Sequence, residues 1–294
     1  MRLSLLLTGL LTTAAQAAMP QFDLYLADVS QGAIRSAQLI SPKAAYINQP
    51  TFSKDGSRLY YTLEQTEDKT DIGYYQLSDR QHGVLAKTSL SEYSPTLLAD
   101  GSGLSTVVVE ADGSQRLWKI DWHGKASLLN AEVKGVGYHA WGAQNSALLF
   151  ILGDKEDNHT MRYLAPNGSL TVLATNVGRG ISWREGGKVA AFVTQQQGES
   201  RLTFFASDAN KLYPTQLALP KGGQDLLWLT ADQLLVSAGQ RIYRLQSSGE
   251  SLSQWAENAK GWQPYLDLSA WCKTEVSRFA FNSTATQLAF VCKK

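Results

Sequence analysis

The chain has 294 residues, with 27 Lys and Arg against 26 Asp and Glu and a net charge of +1 at pH 7. So even a balance supplies no overall field for nucleic acid, and any electrostatic partner must be met by local clusters. Two cysteines rule out a disulfide-dense small fold and leave room for one bridge.

Residues 1–17 read as a secretory leader: Arg2, an apolar run from Leu3 to Leu11, and Ala15-Gln16-Ala17 as the cleavage site. That run is too short to span a bilayer and no later run is longer, so the expectation is a periplasmic or secreted chain with no membrane span. Residues 18–294 are expected to form one domain. It begins with Phe22 to Asp28 and Ala33 to Leu39, two strands separated by a Gly32 turn.

From there a strand signature recurs. Its clearest copies are Pro50-Thr51-Phe52-Ser53-Lys54-Asp55-Gly56 leading into Leu59-Tyr60-Tyr61, and Pro95-Thr96-Leu97-Leu98-Ala99-Asp100-Gly101 leading into Leu104. Asp-Gly tolerates the positive φ of a tight hairpin, and the run behind it is rich in strand formers. Weaker copies centre on Trp141, Trp183, Trp228 and Phe281, so the anchors recur every 42–53 residues. A period in that range, with four short strands per unit, predicts propeller blades. We name the strands A to D. The third has its own aromatic mark in Leu24-Tyr25-Leu26, Gly73-Tyr74-Tyr75, Leu117-Trp118, Arg162-Tyr163, Phe204-Phe205 and Ile242-Tyr243.

The first C and D strands have no A and B before them, and the last A and B strands, Val276 to Phe281 and Gln287 to Val291, have no C and D after them. Joining the halves completes a sixth blade and leaves no half-blade edge open. The expected fold is therefore an all-β, six-bladed propeller of four-stranded antiparallel blades. Its ring is closed by N-terminal C and D strands on C-terminal A and B strands. Cys272 and Cys292 both fall in the closing region, and in an exported chain they are expected to pair.

The pattern Pro-x-Phe-Ser-x-Asp-Gly-x-x-Leu, standing here as Pro50 to Leu59, resembles the WD40-like repeat of TolB-type propellers. The resemblance covers the chain after the leader as architecture, without the α/β domain that precedes the TolB propeller. It implies a noncatalytic scaffold that binds a protein or peptide partner in the cell envelope through its loop-rich face.

On that face the D-to-A loops supply Lys43, Lys87, Lys134, Arg179, Lys221, Lys260 and Lys273, with Tyr46, Tyr93, Tyr138, Trp262, Tyr265 and Trp271 adding aromatic surface. A ring of cations over a channel attracts carboxylates, phosphates or acidic peptide, and aromatic faces suit stacking. The longest loop, Asn258 to Glu275, is expected to cap the channel. His139, Asp225 and Arg278 fall near the starts of inner strands and complete the candidate binding set.

His82, His123, His139 and His159 fall in different blades, which disfavours a histidine metal site. No Gly-x-Ser-x-Gly occurs, and no spacing selects a carboxylate pair for glycoside hydrolysis. The acidic loops around Glu64 to Asp71 and Asp154 to Asp157 lack the order of a dedicated calcium loop. No cofactor, metal or catalytic residue is expected. Beside the partner-binding reading stand a binder of anionic saccharide or envelope polymer and, third, a hydrolase or lyase.

Overall fold

The computed structural model describes residues 20–41, 46–66, 69–86, 88–155, 158–259 and 261–294. The expected leader and the candidate Lys43, with Lys87 and Lys260, lie outside the described residues. The chain enters with β1 (Phe22–Ser30) and β2 (Ala33–Leu39). Blade I follows as β3 (Ile47–Phe52), β4 (Arg58–Thr66), β5 (Lys69–Gln76) and β6 (Gln81–Ala86). Blade II holds β7 (Ser91–Leu97), β8 (Gly103–Val109), β9 (Gln115–Asp121) and β10 (Ala126–Leu128). Blade III holds β11 (Val136–Trp141), β12 (Ala147–Ile151), β13 (Thr160–Leu164) and β14 (Leu170–Thr175). Blade IV holds β15 (Val177–Trp183), β16 (Val189–Gln196), β17 (Glu199–Ala206) and β18 (Lys211–Ala218). Blade V is β19 (Leu226–Thr230), β20 (Gln233–Ala238), β21 (Arg241–Gln246), a helix α1 (Leu252–Asn258) and β22 (Gln263–Asp267). The chain ends in β23 (Val276–Phe281) and β24 (Gln287–Lys293).

Each blade is a four-stranded antiparallel sheet, and the sixth is ordered β2-β1-β24-β23. β1 pairs with β24 from Phe22 opposite Lys293 to Asp28 opposite Gln287, so the two ends of the chain close the ring as the strand order predicts. All six anchors stand at the ends of inner strands or within a few residues of them.

Both faces of a blade pack on neighbouring blades, so the second strands are apolar almost without alternation, as in Ala147–Ile151, buried throughout. Outer strands such as β14 are mostly exposed. Among the described residues, most buried apolar side chains fall into six clusters, one at each joint between blades. The smallest, between blades I and II, consists of Tyr60, Ile72, Ala86, Leu104 and Ile120.

One expectation fails. The segment from Asn258 to Glu275 is not a single D-to-A loop: its first half forms β22, the outermost strand of blade V, paired on β21 from Arg244 opposite Gln263 to Arg241 opposite Asp267. The extra length of this repeat is taken up before that strand by α1. Ser251 caps the helix, accepting from the Gln254 backbone, while the Gln254 side chain accepts from Ser251. Trp255 then buries against Phe204 and Trp228, with ring centroids 5.0 and 5.3 Å away, and seals the joint between blades IV and V.

Cys272 and Cys292 form a disulfide with a Cα separation of 5.2 Å. It links the connection between β22 and β23 to the strand that closes the ring. A bridge over 20 residues is worth about 3 kcal/mol. Replacing both cysteines by Ser should lower the melting temperature by roughly 6–12 °C in a calorimetric scan. An unchanged melt would show that the bridge adds nothing to closure.

Candidate functional site

The inner strands converge on a layer to which every blade contributes one side chain. Tyr46, Tyr93, Tyr138, Arg179, Asp225 and Arg278 come from blades I to VI in order. All six belong to the set expected from sequence.

Local backbone irregularity aims them. In five blades the inner strand breaks register at this level, between Asn48 and Thr51, Tyr93 and Thr96, Val136 and Tyr138, Val177 and Ile181, and Val276 and Arg278. Such bulges bend the strand and redirect side chains. Gln49 and Ser94 each sit at φ 56°, a left-handed conformation costly for a side chain. Gln49 holds both: its Oε1 accepts from the Ser94 backbone N–H at 2.9 Å and from the Thr62 hydroxyl at 2.7 Å. At Gly180 the strand passes so close to blade V that a Cβ would lie 1.7 Å from the Gln224 carbonyl oxygen. That approach brings neighbouring Arg179 against neighbouring Asp225.

The charges meet on one oxygen. Asp225 Oδ2 accepts from Arg179 at 3.3 Å and from Arg278 at 3.1 Å. Arg278 also crosses the ring axis to donate to the Tyr138 hydroxyl of the opposite blade at 2.9 Å. Its guanidinium lies 5.1 Å from the Tyr138 ring centroid, within cation–π range. Burial alone would lower the Arg278 pKa, but the Asp225 carboxylate and the Tyr138 and Tyr46 hydroxyls together raise it above the usual value, so the group stays charged. Tyr46 meets Tyr93 edge-on at 6.4 Å, and burial pushes its hydroxyl pKa up, so it stays neutral.

A pocket of about 540 Å³ runs from this layer along the inner strands toward the A-to-B turns. Its floor holds Tyr138, Arg179, Asp225 and Arg278, and its walls carry Phe52, Leu97, Trp141, Trp183 and Phe281. Two guanidiniums face one carboxylate, so the floor keeps one positive charge in excess. The walls are five of the six repeat anchors, four of them aromatic, whereas the sixth, Trp228, packs in the core between blades IV and V. The sequence singled them out as repeat markers, and their recurrence every blade was the signal that could have placed them in a binding wall.

His139 borders the pocket, with Nε2 2.6 Å from Ser105 Oγ. A Ser–His pair at that distance is the arrangement of an activated hydroxyl. Here Ser105 is wholly buried and its oxygen already accepts from Trp141 Nε1–H at 2.7 Å. The pair therefore props the Trp141 indole against the pocket wall. Burial drives the His139 pKa down to about 3, so the ring is neutral at ordinary pH. Among the described residues no three His, Cys, Asp or Glu side chains gather as a metal site.

Three candidates from the expected cap lie elsewhere. Trp262 donates to the Ala218 carbonyl at 3.1 Å and packs in the core between blades IV and V. Tyr265 stands on the outer strand β22, with the Arg244 guanidinium 5.5 Å from its ring centroid. Trp271 packs on Phe290 at 6.2 Å in the closing joint. Lys221 is exposed in the connection before β19.

No protein-family model matches the sequence, and no curated protein matches it. Solved structures do. A protein assigned as TolB from Agrobacterium tumefaciens superposes with a TM-score of 0.67 at 12% identity, over 94% of this chain and 99% of that one. A gluconolactonase from Xanthomonas campestris gives 0.63 at 13% identity, over 95% and 99%. A luciferin-regenerating enzyme gives 0.55 at 11% identity, over 91% and 94%. At such identities the similarity carries the fold alone. This chain is a six-bladed propeller of a shape shared by a TolB protein and by enzymes, and its function has to be argued from its own side chains.

Proposed function

We propose that the protein is an exported, noncatalytic binding module that seats an acidic segment of a protein or peptide partner in the central pocket. The observation that carries this reading is the floor: Arg179 and Arg278 share one oxygen of Asp225, 3.3 and 3.1 Å away, beneath aromatic walls. A partner carboxylate neutralises the surplus charge, and the walls take the apolar groups beside it. The pocket supports binding at the channel and the A-to-B turns, rather than on the D-to-A loops. Export is supported by the leader and by a disulfide, which persists in oxidising compartments such as the periplasm. Among the described residues no helix is long and apolar enough to cross a membrane.

Calorimetric titration with short acidic peptides containing one aromatic residue tests the proposal. Binding is expected to weaken with salt, and Arg278→Met should reduce affinity at least about tenfold, since a buried charge loses its partner. Circular dichroism would confirm that the variant stays folded. Equal affinity in the variant, or binding indifferent to peptide charge, would overturn the reading.

A further inference from the structure

A second cavity of about 550 Å³ adjoins the mouth of the first, and Ser53 and Lys54 line both. It lies in the angle between blades I and II, over a Tyr60–Trp122 stack. Trp122 projects from the turn between β9 and β10 and is 40% exposed, the largest exposed aromatic among the described residues. One indole face lies on Tyr60, with centroids 5.7 Å apart and planes 28° from parallel. The indole N–H is already donated to the Gly101 carbonyl at 2.8 Å. The ring is therefore held flat on its support, and its polar edge is spent.

The rim is fixed as firmly. Arg58 donates to the Gln76 side chain at 2.6 Å, and its guanidinium lies 5.0 Å from the Tyr74 ring centroid. Asp55 accepts from the hydroxyls of Ser53 at 2.6 Å and Ser57 at 2.9 Å. Lys54 is exposed beside them. An oriented aromatic face ringed by fixed donors and an acceptor loses little entropy on binding.

We infer that this cavity is a saccharide subsite, taking a pyranose ring on the Trp122 face with an anionic substituent toward Arg58 and Lys54. The C–H face of a sugar ring suits an indole, while its hydroxyls both donate and accept. Asp55 takes their hydrogens and Lys54 meets their oxygens. An extended peptide fits less well, because Arg58 and Gln76 stand on β4 and β5, the two interior strands of blade I. Their backbones are already paired on both sides, so no free strand edge lies in the cavity for a peptide ladder. Two cations against one carboxylate select an acidic sugar over a neutral one.

The subsite shares Ser53 and Lys54 with the proposed peptide pocket but has its own floor at Trp122 and Arg58, and the test separates the two. Titration with a hyaluronan tetrasaccharide, which alternates a uronate with a neutral sugar, is expected to give a salt-sensitive Kd in the range of about 0.1–1 mM. Maltotetraose, uncharged, should bind at least about tenfold more weakly. Trp122→Ala is expected to weaken the acidic sugar about tenfold, and Arg58→Gln should erase the preference over maltotetraose. Arg278→Met should leave both sugars unaffected. Equal binding by Trp122→Ala, no binding of the acidic sugar at about 10 mM, or displacement of the sugar by an acidic peptide from the Trp122 face would each overturn the inference.

Discussion

Deleting residues 287–294 is expected to leave a chain without a cooperative melt. The segment holds β24, which stands between β1 and β23 in the closing sheet. Without it β1 and β2 lose their attachment to the rest of the sixth blade, and both neighbouring joints open. Leu288, Ala289, Phe290 and Val291 are all fully buried. Three of them are large enough to contribute about 1.5–3 kcal/mol each through burial, so the loss is comparable to the whole stability of a typical domain of about 5–15 kcal/mol. The graded form of the test is Phe290→Ala. Phe290 stacks on Tyr25 of the N-terminal strand at 5.1 Å and meets Trp271 at 6.2 Å, so it holds both ends of the chain together. Its loss should cost about 3–5 kcal/mol, read from denaturant unfolding. Native-like circular dichroism and a cooperative transition in the truncated chain would show that the ring does not depend on this strand.

Glu92→Gln should make the protein more stable at pH 8 and flatten its stability profile. Glu92, on the inner strand of blade II, is fully buried beside Asp71 of blade I, itself 1% exposed. Lys69 reaches Asp71 at 3.2 Å, and the Thr88 hydroxyl donates to Glu92. The other Glu92 oxygen has no partner. Burial, with the neighbouring Asp71 carboxyl, pushes the Glu92 pKa up to about 8 from 4.5. The folded protein therefore keeps a proton that the unfolded chain releases. Its contribution is complete below pH 4.5 and is lost as pH rises through about 8. At about 1.4 kcal/mol per pKa unit, as much as about 5 kcal/mol is at stake across this window. Glutamine keeps the shape and hydrogen bonding of the neutral acid without the ionisation. The pair lies at the joint with the smallest apolar core, so little else there offsets an ionised Glu92. Melting temperatures from pH 5 to pH 9 give the answer, and parallel curves for the two proteins would sink the idea.

The repeat, its phase and the closure of the ring were legible in the chain because each depends on local patterns. An anchor, a turn and a run of β-formers recur at nearly fixed spacing, and strand order alone pairs the first strand with the last. The six residues of the central layer lie three to six residues before their anchors and were all among the candidates, but so were their neighbours and loop residues, and nothing along the chain singled out one per blade. Where the pattern broke, the reading broke. The insert in blade V looked like one loop because β22 is short, contains Pro264 and follows a helix. The signal missed was Ser251-Leu252-Ser253-Gln254, a capping box that starts the helix and pushes the outer strand later.

Sequence by itself determined the scaffold, because blade formation is governed by neighbours within about 45 residues. Only the tertiary structure decided that Arg278 reaches Tyr138 across the axis, that Arg179 and Arg278 share one oxygen of Asp225, and that Glu92 meets Asp71 in a buried joint. These contacts join different blades. They are set by bulges, by the close passage at Gly180 and by the angle at which blades meet, and no periodicity along the chain encodes that geometry.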